Sequence, residues 1–417
     1  MMTEREEKNR VVERGAESRA GAEASRAVAR KTRVLMVAPS LGILGGQAVQ
    51  AARLMERLRS EPDLEIDFLP VNPRLPGVLG KLQDVKYVRT LLTSAVYAAS
   101  LMLRVRRYDV IHIFSASYFS FVLAPTPALL ISRLYGKRAV LNYRSGEAED
   151  HLARWRRTAL PTMRLADRII APSGYLVDVF ARFGLAASYI YNIVETERFR
   201  FRRRVPLKPV FFSNRNFEPL YNVACTLRAF ALVEKKHTGA RLILAGDGSQ
   251  RAELEALARE LSLKNVELLG RVEPARMHEL YDAADIYLNS PDIDNMPGSI
   301  IEAFASGLAV VTTNAGGIPY IVTHNETGLM TERNDHEAMA KAALTLLEDS
   351  ALAERIARAA YLECRKYSWD SVRGEWLALY KELAGAEAGS RRKTVSEPET
   401  LDREELSLKR EGEAVGR

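Results

Sequence analysis

One alternation governs what this chain can fold into. RVLMVAPS (33–40) is an apolar run of strand length, LGILGGQ turns on glycines, and AVQAARLMERLR sets apolar residues at helical spacing. Strand, turn and helix then recur, with strands predicted at EIDFLPV (65–71), VIHIF (110–114), AVLNYR (139–144), RIIAPS (168–173) and SYIYN (188–192). An aperiodic, arginine-dense stretch, ETERFRFRRRVPLK (195–208), interrupts the pattern. It restarts at PVFFSN (209–214), RLILAGDG (241–248), VELLG (266–270), IYLNS (286–290) and AVVTT (309–313). Strands separated by helices imply parallel sheets covered on both faces. The predicted class is therefore α/β: two doubly wound, Rossmann-like parallel-sheet domains, residues 31–200 and 208–366, facing each other across a cleft and joined by a polar linker.

The ends differ from this body. YSWDSVRGEWLALYKEL (367–383) reads as a final amphipathic helix, and residues 367–385 are expected to return to the first domain. Residues 1–30 and 386–417 are charged and poor in aromatics, so both are expected to be disordered extensions.

A length of 417 residues exceeds the usual size of a single core, and 47% hydrophobic residues can bury two. The two cysteines, Cys225 and Cys364, cannot make a disulfide framework and match no metal-ligand spacing, which suits a reducing, cytoplasmic setting. Residues 1–30 contain no apolar run, so no secretory signal is expected there. The most apolar segments are 90–103, too short to span a membrane, and 110–134, interrupted by His112, Pro125, Pro127 and Arg133; both read as soluble core elements. Charge is uneven. Residues 31–208 hold 28 Lys and Arg against 14 Asp and Glu, whereas the chain as a whole is only +7. A basic first half points to an anionic partner, such as a phospholipid surface or a phosphate-bearing acceptor, and to a peripheral place on the inner membrane surface. No nucleic acid is expected among the partners.

Sites in open parallel sheets lie beyond the carboxyl ends of strands. After IYLNS, the stretch DNMPGSIIEAFASG (294–307) places Pro297 and Gly298 before an amphipathic helix that carries Glu302 in its first turns. Ser299 and Glu302 have the spacing of a capping box, which would explain the acid without a ligand. The alternative is an anion site, because a helix N-terminus offers free amides to phosphate. Asp294 and Glu302 would then accept hydrogen bonds from hydroxyls, an arrangement that fits a phosphate flanked by sugars.

At this point DIDNMPGSIIEAFASGLAVVTTNAGGIPYIVTHNETGLM (292–330) resembles the donor-site segment of the retaining, nucleotide-sugar glycosyltransferases of family 4 (glycosyltransferase group 1), which have the two-domain GT-B fold. The family signature is a pair of glutamates separated by seven residues; here Asp294 and Glu302 occupy the two places. The resemblance implies that Glu302 holds the nucleotide ribose, Asp294 meets the donor sugar, and amides around Asn295, Met296, Pro297, Gly298 and Ser299 meet the diphosphate. In SNRNFEPLYNV (213–223) the family presents an Arg and, six residues on, a Lys; Arg215 is present, but Tyr221 replaces the Lys. That exchange removes a charge-assisted contact of about 1.5–3 kcal/mol, and Tyr221 could donate one neutral hydrogen bond instead. The resemblance also brings the loop with Gly45 and Gly46 over the diphosphate, and the strand ends with Gly246, Gly248 and Arg271 to the nucleobase.

NYRSGEAEDHLARWRR (142–157) leaves a first-domain strand with dense charge. It reads as an acceptor pocket: Arg144 for an anionic group, and Glu147, Glu149 or His151 for hydroxyls or for the acceptor proton. His112, inside VIHIF, reads as a core histidine. Asp294, Glu302, Arg215 and His151 form the expected catalytic set. The expected reaction moves a sugar from a nucleotide-diphosphate donor, its co-substrate, to a glycan or lipid-linked acceptor with retained configuration. Fixed donors would stabilise the leaving group, with no essential metal and no other cofactor. A catalytically weak partner subunit that binds a nucleotide or glycan is the alternative, motivated by Asp294 and Tyr221.

Overall fold

In the computed structural model, which describes residues 31–40, 46–75, 77–83, 85–115 and 117–385, the two series of apolar runs become two six-stranded sheets. Both belong to one compact unit. Gly45 and the two charged extensions lie outside the described residues.

The first sheet comprises β1 (Thr32–Ala38), β2 (Leu64–Pro70), β3 (Val110–Ser115), β4 (Arg138–Tyr143), β5 (Arg168–Ala171) and β6 (Ser188–Tyr189), ordered β2-β1-β3-β4-β5-β6. The second comprises β7 (Val210–Ser213), β8 (Arg241–Ala245), β9 (Val266–Gly270), β10 (Ile286–Asn289), β11 (Ala309–Thr313) and β12 (Leu329–Thr331), ordered β12-β11-β10-β7-β8-β9. Every pairing is parallel. Central strands are buried along their whole length, as in β3 and β11, because helices cover both faces. Chain order reverses direction between β1 and β3 in one sheet and between β7 and β10 in the other. Loops leaving those strands diverge and open a crevice, so each sheet fixes where a ligand can sit.

The helices that shape the site and its surroundings are α1 (Gly46–Arg59), α2 (Lys86–Arg104), α3 (Tyr118–Leu123), α4 (Pro125–Leu134), α5 (Ala148–Arg154), α6 (Gly298–Ser306) and α7 (Trp369–Gly385). In α1, Ala48, Ala51, Leu54, Met55 and Leu58 face the core at helical spacing, which turns Gln47, Gln50 and Arg53 the other way. α7 packs on the first sheet: Val372, Trp376, Leu379, Tyr380 and Leu383 join Val34, Met36 and Leu54 in one cluster. Arg373 pins it with two 2.6 Å bonds to Glu61.

Three features depart from the sequence reading. β12 was not expected; three residues at a sheet edge carry too little pattern to be recognised. The linker is not simply a polar spacer, since Arg204 is buried against the second domain, where it bonds the Ala284 carbonyl at 2.8 Å and pairs with Asp285 at 3.2 Å. Residues 90–103 are not a short core element: they lie within a continuous helical stretch, Tyr87–Arg107, long and apolar enough to cross a membrane, and one side of it is exposed.

Candidate functional site

The loops after β7 and β10 leave adjacent strands at the switch point of the second sheet and are tied together, with the Asp292 amide donating to the Leu220 carbonyl at 2.9 Å. Arg215 on the first loop meets Asp294 on the second. Its Nη2 lies 2.5 Å from Asp294 Oδ2, its Nη1 donates to Ser299 Oγ at 3.1 Å, and its guanidinium lies 4.1 Å above the Tyr221 ring. Burial works against this charge, but Asp294 and the surrounding tyrosines outweigh it and hold Arg215 firmly protonated. Tyr221 thus offers its ring as a platform under Arg215 at the position where the family has a Lys.

Two glycines hold the Asp294 loop in place. Gly316 has φ +53°, and a Cβ there would sit 2.1 Å from the Asp294 carbonyl; at Gly317 it would sit 1.9 Å from the Asn295 carbonyl. Only glycine permits this approach, which lets the Gly317 amide bond the Asp294 carbonyl at 3.0 Å. α6 follows, with Pro297 as its N-cap residue and with Gly298 and Ser299 of its first turn lining the crevice.

Glu302, one turn inside α6, is not the acid of a capping box, because Ser299 lies within the helix and its hydroxyl accepts from Arg215. Glu302 Oε2 instead accepts the Tyr281 hydroxyl at 3.0 Å. Burial raises its carboxyl above the ordinary range, opposed by Arg53 and Tyr281. Arg53 comes from α1 of the first domain: its Nη2 is 3.7 Å from Glu302 Oε1 and its Nε 3.4 Å from Glu195. Sequence reasoning missed Arg53. The available signal was the polar stripe Gln47, Gln50, Arg53 on a helix that starts at a strand's carboxyl end.

The cleft between these groups measures about 560 Å³. Gly46, Arg144 and Glu147 from the first domain line it, opposite Arg215, Tyr221, Asp294, Asn295, Met296, Pro297, Gly298, Ser299 and Glu302 from the second. Ser173 donates to Asn295 Oδ1 across the domains. Arg144 Nη1 donates to Asn142 Oδ1 at 3.2 Å, Asn142 Nδ2 reaches His112 Nε2 at 3.0 Å, and His112 Nδ1 lies 2.6 Å from the Tyr380 hydroxyl. Since the amide donates to Nε2, the imidazole proton sits on Nδ1 and points to Tyr380. Burial lowers the His112 pKa to about 3, so the ring is a neutral core group, as read from sequence. Arg144 has no carboxylate partner among the described residues, its Nη2 is buried without a hydrogen bond, and burial lowers its pKa to about 9. A half-buried cation at a cleft wall with no carboxylate partner among the described residues is suited to an anion brought by a ligand.

Other expected residues lie elsewhere. His151 is fully buried in the first domain: Nδ1 is 2.9 Å from the Tyr143 hydroxyl, the ring packs on Phe121 and Tyr118, and burial lowers its pKa to about 4. It does not line the cleft. Glu149 faces outward on α5 and pairs with Arg182 at 3.1 Å. Gly246, Gly248 and Arg271 do not line the cleft. Gly246 has a supporting task, because a Cβ there would fall 2.1 Å from the Arg215 carbonyl.

Glycosyl transferases group 1 matches residues 195–363, and Glycosyltransferase Family 4 matches residues 14–198. The chain belongs to the group 1 glycosyltransferases. This family member has the GT-B fold, as seen in HepE of Anabaena in complex with UDP and glucose, with TM-score 0.66 at 19% identity over 84% of this chain and 99% of HepE. It is 32% identical over 199 residues to an exopolysaccharide phosphotransferase of Streptomyces coelicolor, 47% of this chain and 21% of that protein. A Campylobacter jejuni α-1,4-N-acetyl-D-galactosaminyltransferase, named for a GalNAc-GalNAc-diNAcBac-PP-undecaprenol substrate, is 27% identical over 167 residues, 40% of this chain and 46% of the relative. The chain thus spans about half or less of the length of these curated relatives.

Proposed function

We propose that this chain transfers a sugar from a nucleotide-diphosphate donor to a glycan or lipid-linked acceptor, retaining anomeric configuration, in envelope polysaccharide or glycolipid synthesis at the inner membrane surface. The observation that carries the reading is the meeting of Arg215, Asp294 and the amino end of α6 at the switch point of the second sheet. There, one cation and free amides converge where a diphosphate fits, with a carboxylate to either side for sugar hydroxyls. Asp294 spends Oδ2 on Arg215 and Oδ1 on the Asn295 amide at 2.8 Å, which fixes its direction toward a hydroxyl. Glu302, steadied by Tyr281, takes the ribose hydroxyls. As the sugar leaves, charge grows on the diphosphate, and groups already in position lower that barrier without a metal. Arg144, on the opposite wall, takes an anionic acceptor.

HepE was solved with UDP and glucose, and the Campylobacter jejuni relative is named for a polyprenyl-diphosphate substrate; both fit a nucleotide sugar on one side and a lipid-linked glycan on the other. A transfer and donor-hydrolysis assay across uridine, guanosine and adenosine diphosphate sugars tests the reading. Folded protein that turns over none of them refutes it. The ion pair between Arg215 and Asp294 supports a second reading, a nucleotide-binding partner subunit, because it already satisfies the cation a diphosphate needs. Nucleotide-dependent stabilisation without turnover would select that one.

A further inference from the structure

The first domain carries an apolar surface that its own fold leaves uncovered. One side of α2 is sealed into the core by Tyr97 and Leu101, and by Val105 directly after its last residue. The opposite side is also apolar but exposed, with Leu91 at 73% and Leu103 at 75%. α3 and α4 extend this surface through Phe119 at 61%, Leu130 at 53% and Leu134 at 69%. α2 and α4 meet at their carboxyl ends, where the Tyr135 hydroxyl lies 3.7 Å from Met102 Sδ and the Arg106 guanidinium 4.4 Å above the Tyr135 ring. A helix apolar on all sides is either buried or faces lipid, and α2 is buried on one side only.

Charge selects the occupant. Residues 85–107 and 117–137 together contain seven Lys and Arg and no Asp or Glu. Arg106, Arg107 and Arg133 are exposed and make no ion pair among the described residues. A second copy using the same face would set these cations against their own counterparts, which disfavours a symmetric dimer. An anionic lipid surface meets both demands, taking the apolar side chains below the headgroups and the cations at their level. Spanning is excluded by the fold, since it would pull Tyr97, Leu101 and Val105 out of the core and part Arg104 from the Phe68 carbonyl, 3.1 Å away.

We propose that the exposed side of α2, continued by α3 and α4, docks on an anionic bilayer, with α2 lying in the interface plane. This deepens the membrane part of the function proposed above by assigning the surface that performs it, and it is measured without any donor.

The test is flotation of the full chain with vesicles of phosphatidylcholine alone and of phosphatidylcholine mixed with phosphatidylglycerol. Binding is expected to the anionic vesicles, to fall with added salt, and to weaken about fivefold for each of Arg106→Ala and Arg107→Ala. Leu103→Glu is expected to weaken it at least about tenfold. Each variant is also titrated calorimetrically with nucleoside diphosphate, where parental affinity shows that fold and donor site are intact. Absence of binding to anionic vesicles, equal binding to neutral ones, or full binding by Leu103→Glu overturns the proposal. So does a light-scattering dimer that Leu103→Glu dissociates in place of vesicle binding. If no donor is turned over while vesicles are bound as described, the transfer reading fails and the docking face stands.

Discussion

Replacing Arg215 with Met separates what this residue does for the fold from what it does for a ligand. The guanidinium makes a 2.5 Å contact with Asp294, a 3.1 Å bond to Ser299 and a 4.1 Å stack on Tyr221. Its side chain is 10% exposed and that of Asp294 12%, so water cannot replace what is lost. Stranding a buried carboxylate in this way costs about 3–5 kcal/mol. The same guanidinium, turned to a diphosphate, supplies a charge-assisted bond of about 1.5–3 kcal/mol, or roughly 10- to 150-fold in affinity. The double variant Arg215→Met/Asp294→Asn removes the stranded charge, so most of the stability returns while affinity stays low. Urea unfolding measures the first quantity and calorimetric titration with nucleoside diphosphates the second. Unchanged affinity in Arg215→Met would remove the residue from the donor site. A double variant no more stable than the single would show that the loss had another origin.

Three further outcomes follow from the same geometry. Burial raises the Glu302 carboxyl, so the folded chain favours its protonated form; that contribution is complete below the usual glutamate pKa of about 4.3 and is lost as pH rises through the raised value. Glu302→Gln should therefore unfold later than the parent at neutral pH, with the advantage gone in acid, while nucleotide affinity drops about tenfold or more; an unchanged affinity would separate Glu302 from the ribose. Gly317→Ala puts a methyl group 1.9 Å from the Asn295 carbonyl and should abolish nucleotide binding by displacing the 294–295 loop, with the parental circular dichroism spectrum retained. His151→Leu should lower the unfolding midpoint, because it leaves the Tyr143 hydroxyl without that partner, yet keep turnover per folded molecule; lost turnover at full folding would restore His151 to the chemistry.

Much of the architecture was legible because it is local. The repeated change from strand to helix period implied parallel sheets, and β1 to β11 each overlap a predicted run, with β1 to β4 overrunning theirs by one residue. The Asp294 to Glu302 segment announced itself through Pro297, Gly298 and the glycines that follow. His151 misled because proximity in sequence to Arg144 and Glu147 says nothing about direction. Glu147, the residue before α5, stands at the cleft rim, whereas α5 turns His151, four residues later, into the core. Arg53 stayed hidden because its partners, Glu195 and Glu302, lie far along the chain.

By itself the sequence determined which residues within each element turn inward, hence two sheets, their helices and a donor segment beyond one strand. Tertiary structure alone decided which loops meet at a reversal of strand order, which cation answers which acid across the cleft, and which side of α2 has no neighbour. The reason is physical: periodicity records how one element divides its faces, whereas contacts between distant segments arise only when whole sheets and helices have packed.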